Sequence, residues 1–255
     1  MFPGFKPGIT KFQGEKMHKS TYIFPACLML SAVLFPSQAA IADVAAANLR
    51  ADIANGEKIY QEGKGEVMAC APCHGENALG MDAMESPRLA HIGQVYVQKQ
   101  LDDYAARIRD DGDKDSMMIG IARAMSPQEG LDVAAYLDSL EYETEPTDLK
   151  ALAADGIKIG NPKKGKAIMN EGIKPNVPAC RNCHGFSGRS ENIAAIHQQK
   201  YVYLVNQMKR YRDGSRANDK IVGKYGIMRG ISKTLTDEDI ADIAAYLTIA
   251  NSLDE

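Results

Sequence analysis

Two short stretches decide the reading of this chain: Cys70-Ala71-Pro72-Cys73-His74 and Cys180-Arg181-Asn182-Cys183-His184. Each is C-x-x-C-H, the spacing by which a c-type haem is attached. On one turn of helix, two thiols three residues apart reach the two vinyl groups of a porphyrin and form thioethers. The histidine that follows offers its imidazole to the iron from the same side. A dithiol redox motif or half a zinc site uses related spacings. A zinc site draws its pairs from one small fold, however, and these pairs lie 110 residues apart. The pattern predicts two covalently bound haem c groups, one on Cys70, Cys73 and His74 and one on Cys180, Cys183 and His184.

The offset of 110 recurs. It relates Met118 to Met228, and Asp132-Val133-Ala134-Ala135-Tyr136-Leu137 to Asp242-Ile243-Ala244-Ala245-Tyr246-Leu247. Upstream, Gly56-Glu57-Lys58-Ile59-Tyr60 pairs with Gly165-Lys166-Ala167-Ile168-Met169 at an offset of 109. Between these anchors, Gln100…Tyr104 pairs with Gln207…Tyr211 at 107, and the difference is recovered before the methionine. The chain is therefore a tandem duplication of a domain of about 100 residues, an ordinary domain size, joined near Glu143-Thr144-Glu145-Pro146-Thr147.

Both halves carry the same predicted helices. One spans about 52–62, with a counterpart at 163–171. A second spans about 94–110, with Val97, Leu101, Tyr104 and Ile108 in helical spacing, and its counterpart covers about 200–212. A closing helix starts at the capping pattern Ser126-Pro127-Gln128-Glu129 and runs to about Leu140. Its twin starts at Thr236-Asp237-Glu238-Asp239 and runs to about Ile249. No alternating run suggests a sheet, so the expected fold class is all-α, three short helices per repeat wrapped round a haem.

The N-terminus reads as a signal peptide over residues 1–42. Lys6, Lys11, Lys16 and Lys19 precede an apolar stretch from Thr21 to Phe35, and a small-x-small ending follows up to Ala42. A membrane span takes about 20 residues, longer than this stretch, which Pro25 and Pro36 bracket. Met17 is the better-placed start, which leaves residues 1–16 outside the translated signal. Cleavage after Ala42 removes Cys27, so all four mature cysteines fall in the two motifs. The expected domains are then residues 43–145 and 146–255, exported to the periplasm.

The second axial ligand separates carrier from catalyst. Met118 lies 44 residues after His74, and Met228 lies 44 after His184, in matching frames Met118-Ile119-Gly120-Ile121 and Met228-Arg229-Gly230-Ile231. A thioether opposite the histidine closes the iron and suits it to moving electrons. Met117 and Met125 compete in the first repeat, but their counterparts are Ile227 and Leu235, which cannot ligate iron. His91 and His197 have no equivalents at the repeat offset and read as surface or packing histidines.

Composition narrows the rest. The chain has 255 residues, 45% hydrophobic and 25% charged, which argues against disorder and against a polytopic membrane protein. A formal charge of −3 argues against a nucleic-acid binder. That total hides two unlike halves. Residues 43–145 hold 20 acidic and nine basic residues, net −11, whereas residues 146–255 hold 12 and 17, net +5. Such a dipole predicts protein partners with oppositely charged docking faces, one a donor and one an acceptor.

Taken together, these residues resemble the dihaem cytochrome c4 family, built from two class I cytochrome c domains. The resemblance covers nearly all of residues 50–250. It rests on CAPCHG, Pro87-Arg88-Leu89, Tyr96…Lys99-Gln100-Leu101, Met118 and DVAAYL in the first half. In the second it rests on CRNCHG, Tyr203…Asn206-Gln207-Met208, Tyr211 to Asp219, Met228-Arg229-Gly230 and DIAAYL. It implies His/Met ligation at both irons, haems packed edge to edge across the domain interface, and electron delivery to a terminal oxidase or other respiratory partner. It also implies that the Pro87 carbonyl holds the His74 ring. The second repeat departs here, with Ala194 or Asn192 near that place, and His91-Ile92 replaces the usual Gly-Gln.

The function expected is single-electron transfer by a periplasmic dihaem cytochrome, with no small-molecule substrate and with docking on a membrane complex compatible with the role. The alternative is the cytochrome subunit of a periplasmic dehydrogenase complex. A dihaem thiosulfate-oxidising enzyme would call for a Cys-ligated or open haem, and no mature cysteine is spare.

Overall fold

The computed structural model describes residues 50–184, 193–219, 221–222 and 225–250. The expected signal peptide, Cys27 and Asn192 lie outside the described residues. Among those described, no helix is long and apolar enough to cross a membrane.

In the first repeat, α1 (Ile53–Glu62) begins at Asp52, whose side chain accepts the Asn55 N–H, and stops at Gly63 with φ of 76°. The single turn α2 (Ala71–His74) follows, then α3 (Gln94–Ala105), α4 (Met117–Ala124) and α5 (Pro127–Ser139). The predicted cap of α5 is present as a full capping box, Ser126 with Glu129. A short helix α6 (Leu149–Ala154) lies in the linker. The second repeat repeats the plan with α7 (Pro162–Glu171), a 3₁₀ turn Cys180–Asn182, α8 (Tyr201–Asp213), α9 (Ile227–Ser232) and α10 (Asp237–Leu247), the last capped by Thr236 and Asp239. The fold is all-α, a tandem pair of like domains.

Each domain closes where its last helix crosses its first. A Cβ at Gly56 would collide with the Asp132 backbone carbonyl, and one at Gly165 with that of Asp242. Glycine is required at both places because backbone packs directly on backbone. The buried Asp132 and Asp242 then reach back across the crossing. Asp132 accepts the Asp52 N–H at 2.8 Å and the Asn55 amide at 2.7 Å, while Asp242 accepts the Asn161 N–H at 2.5 Å. Ile59, Tyr60, Val133, Ala134 and Leu137 form the core beside the first crossing. Ile168, Met169, Ile243, Ala244 and Leu247 do so at the second.

Four details differ from the sequence expectation. Helix α3 ends at Ala105, not near 110, because Arg107 takes φ of 57° and the N–H groups of Ile108 and Arg109 both turn back to the Asp103 carbonyl. Ile108 is consequently 59% exposed and Arg109 is buried in its stead. The methionine-bearing segments are themselves helices, α4 and α9, so each repeat has more than three. A minimal antiparallel ladder, β1 (Ile221–Val222) with β2 (Tyr225–Gly226), lies just before α9. It occupies the place where the second repeat regains the three residues that separate the 107 and 110 offsets. The closing helices end at Ser139 and Leu247, one and two residues short of the expected ends.

Gly56→Ala and Gly165→Ala should each lower stability in urea unfolding by about 1–3 kcal/mol, the usual cost of overpacking, or more. Gly120→Ala, whose Cβ would enter open space, should be neutral or slightly stabilising.

Candidate haem sites

Helix α1 hangs the first C-x-x-C-H turn from its own end. The Cys70 N–H donates to the Tyr60 carbonyl at 2.8 Å, and the Tyr60 hydroxyl donates to the Gly75 carbonyl at 2.7 Å, gripping the turn on both sides. Within the turn the His74 N–H donates to the Cys70 carbonyl at 3.0 Å; the His184 N–H donates to Cys180 at 2.9 Å. The two motifs thus share one geometry, although the second stands on a 3₁₀ turn. None of the four cysteines is in a disulfide. Burial pushes the thiols of Cys70 and Cys180 up to about 11, with Cys73 adding to the effect at Cys70.

Both histidines are oriented from behind. His74 Nδ1 lies 3.0 Å from the Pro87 carbonyl, and His184 Nδ1 lies 2.9 Å from the Ala194 carbonyl. A carbonyl accepts only, so Nδ1 carries the proton and Nε2 keeps its lone pair for a metal. Burial lowers the pKa of both rings against the opposing pull of those carbonyls, and His197 lowers that of His184 further. Both are held neutral, the form that ligates iron. The second-repeat carbonyl, open between Ala194 and Asn192 from the sequence, is that of Ala194.

All eight expected residues line one cavity of about 870 Å3: Cys70, Cys73, His74, Met118, Cys180, Cys183, His184 and Met228. Met117 and Met125 line it as well, so lining alone does not choose among the methionines of the first repeat. His91 and His197 are not on this cavity.

The wall between the two halves holds a device that was not legible in the motifs. Arg109 and Arg216, related by the offset of 107, are buried side by side with exchanged partners. Arg109 donates to Gln100 at 2.7 Å within its repeat and to the Tyr203 hydroxyl at 3.1 Å in the other. Arg216 donates to Gln207 at 2.6 Å and to the Tyr96 hydroxyl at 2.9 Å. Each guanidinium also stacks on a tyrosine, Tyr104 at 4.6 Å and Tyr211 at 4.5 Å. Among the described residues Arg109 pairs with a carboxylate, Asp111, at 3.0 Å, whereas Arg216 meets the Asn218 amide oxygen at 3.1 Å. Burial opposes both charges, and Arg109 opposes that of Arg216, yet the tyrosines around them, and Asp111 beside Arg109, raise the pKa of both. The same two cations outweigh burial at Tyr203 and lower its pKa. Extending the 107 offset past Tyr104 and Tyr211 to these arginines would have found them.

A large cavity with paired thiols, two neutral imidazoles and a surplus of buried positive charge fits haem, whose propionates are anionic. The comparisons decide the family. The cytochrome c model matches residues 53–141 and 162–250. A cytochrome c4 from Stutzerimonas stutzeri is 32% identical over 195 residues, 73% of this chain and 87% of that one. The chain belongs to the dihaem cytochrome c4 family. It carries two covalently bound haem c groups, one per domain, and is an electron carrier. A protein named thiosulfate dehydrogenase electron acceptor, from Stutzerimonas stutzeri (strain A1501), is 32% identical over 203 residues, 78% of this chain and 88% of that one. The crystal structure of reduced recombinant cytochrome c4 from Pseudomonas stutzeri aligns with a TM-score of 0.61, with 27% identity over 78% of this chain and 98% of that one.

In this dihaem cytochrome the arginine wall ties the domains together. Arg216→Met should take the donor from the Asn218 amide oxygen and the Tyr96 hydroxyl, while Gln100 and Gln207 keep their bonds from Arg109, at a cost of about 1–3 kcal/mol per orphaned group. Urea unfolding followed at the two haems should then split from one transition into two.

Proposed function

We propose that Cys70 and Cys73, and Cys180 and Cys183, form the thioethers, that His74 with Met118 and His184 with Met228 close the two irons, and that the protein carries single electrons between protein partners in the periplasm. Haem iron closed on both faces by side chains supplies one-electron chemistry without exchanging a ligand. The observation that carries the reading is the single cavity on which all eight residues converge. The chain's own part is to keep both imidazoles neutral and oriented, to exclude water, and to hold the two sites in one continuous space. The lysine-rich, apolar start of the sequence supports export.

The spectrum of the oxidised protein tests the ligation. The weak far-red band of methionine-bound ferric haem should be present, fall by about half in Met118→Ala or in Met228→Ala, and vanish in the double variant. Met117→Ala and Met125→Leu should retain it. Absence of the band in the unaltered protein would remove the carrier assignment as stated.

A second reading, the acceptor subunit of a sulfur-compound dehydrogenase, is favoured by the relative of that name. It needs the same electron chemistry and differs in the partner, so a catalytic subunit should co-purify. For either partner the net −11 and +5 of the two halves favour steering by charge. Raising ionic strength from about 0.01 M to about 0.15 M shortens the screening length from roughly 30 to 8 Å. Stopped-flow electron transfer with the physiological donor should slow several-fold over that range, and an unchanged rate would rule charge steering out.

A further inference from the structure

The carbonyls that orient the two imidazoles belong to peptide groups whose other ends are held by the opposite repeat. The Pro87 carbonyl, 3.0 Å from His74 Nδ1, shares its peptide with the Arg88 N–H. That N–H donates to Gln199 Oε1, in the second repeat, at 2.7 Å. The Ala194 carbonyl, 2.9 Å from His184 Nδ1, shares its peptide with the Ala195 N–H, which donates to the Ile92 carbonyl, in the first repeat, at 3.1 Å. Arg88 and Ala195 stand 107 residues apart, and so do Ile92 and Gln199. The two bridges are therefore one contact made twice, residue 88 on 199 and residue 195 on 92, as a two-fold relation between like domains requires. They differ in the acceptor. The first histidine is served by a side chain and the second by the main chain, because Ile92 stands where the second repeat has Gln199.

Gln199 is fixed in this role. It is buried, its Oε1 also takes the Lys200 N–H at 3.0 Å, and its Nε2 donates to the Arg88 carbonyl at 3.0 Å. Two N–H donors at one end of the amide and a carbonyl at the other leave one orientation for it. Hydrogen bonds in a chain polarise one another, each strengthening the next by roughly 10–30%. A Pro87 carbonyl whose peptide N–H is bonded therefore pulls harder on the His74 ring proton. That pull raises the basicity of Nε2 as a ligand, which favours oxidised over reduced iron. We propose that Gln199 is a positioning residue for the first haem, acting across the domain interface through the Arg88–Pro87 peptide on His74 and lowering the reduction potential of that site. The inference rests on ligation of iron by His74, as proposed above.

Redox titration of the haem-loaded full chain tests it with Gln199→Met, which keeps the length of the side chain and removes both of its bonds to Arg88. One of the two midpoint potentials should rise by about a twofold change in the reduction equilibrium, roughly 18 mV at 59 mV per tenfold for one electron. The other should stay where it is. In NMR of the reduced protein, the His74 ring N–H should exchange faster with solvent, and the His184 ring N–H, served by the Ile92 main chain, should not. Gln199→Glu keeps an oxygen for the Arg88 N–H and should restore protection of the His74 ring proton. Unchanged potentials in Gln199→Met would overturn the proposal, and so would equal loss of protection in both variants. Where Gln199→Met fails to fold, Gln199→Glu decides: protection kept supports the relay and protection lost overturns it. The far-red band should persist in both variants, so failure of the relay is told apart from failure of the ligation, which would show in the unaltered protein.

Discussion

The contact on which this molecule depends is a backbone crossing without side chains between the helices: Gly56 against the carbonyl of Asp132, repeated as Gly165 against Asp242. Close approach there lets the last helix of each domain hold the first, and the buried aspartate fixes the register by taking N–H groups at the other helix's start. The C-x-x-C-H turn hangs from the far end of that first helix, through the Cys70 N–H to Tyr60. A shift at the crossing therefore moves the thiols and the imidazole together. The second repeat has Met169 where the first has Tyr60, and it lacks the hydroxyl that bridges to the glycine after the histidine. That loss accompanies the weaker 3₁₀ form of its turn.

Much of this was legible because the chemistry leaves fixed spacings. Thiols three apart and an adjacent histidine are dictated by a rigid porphyrin, and duplication prints them twice. Capping patterns gave the starts of α5 and α10 because each is a local hydrogen-bond motif. The end of α3 was not legible. Arg107 turns left-handed without being glycine, and Ile108, in helical spacing with the core, is sent to solvent. Only tertiary structure selects that turn, because it brings Arg109 to the wall between the domains. The helices α4 and α9 were hidden by their shortness, and Arg109 and Arg216 by standing at the inner offset of 107 while the motifs stand at 110.

The two offsets divide the molecule by task. Residues at the inner offset, Tyr96 with Tyr203, Gln100 with Gln207, Tyr104 with Tyr211 and Arg109 with Arg216, build the wall between the domains. Residues at the outer offset are the C-x-x-C-H motifs, Met118 with Met228, and the closing helices. The three extra residues of the second repeat fall between these groups, at the small ladder before α9, where a change of length disturbs neither. The interior is thus nearly symmetric while the exterior is not, with a net −11 on one half and +5 on the other.

That asymmetry reaches the wall at one point. Arg109 is balanced by Asp111, whereas Arg216 meets Asn218, an amide at the equivalent position. Two buried guanidiniums with one carboxylate between them would be a poor core on their own, since an unpaired buried charge costs several kcal/mol. The tyrosines and glutamines spread the charge without cancelling it. Both arginines line the haem cavity, and a haem bound there with its carboxylates at that edge would relieve the surplus. Attachment of the cofactor and the joining of the domains would then draw on the same pair of arginines, which already bridge the two repeats.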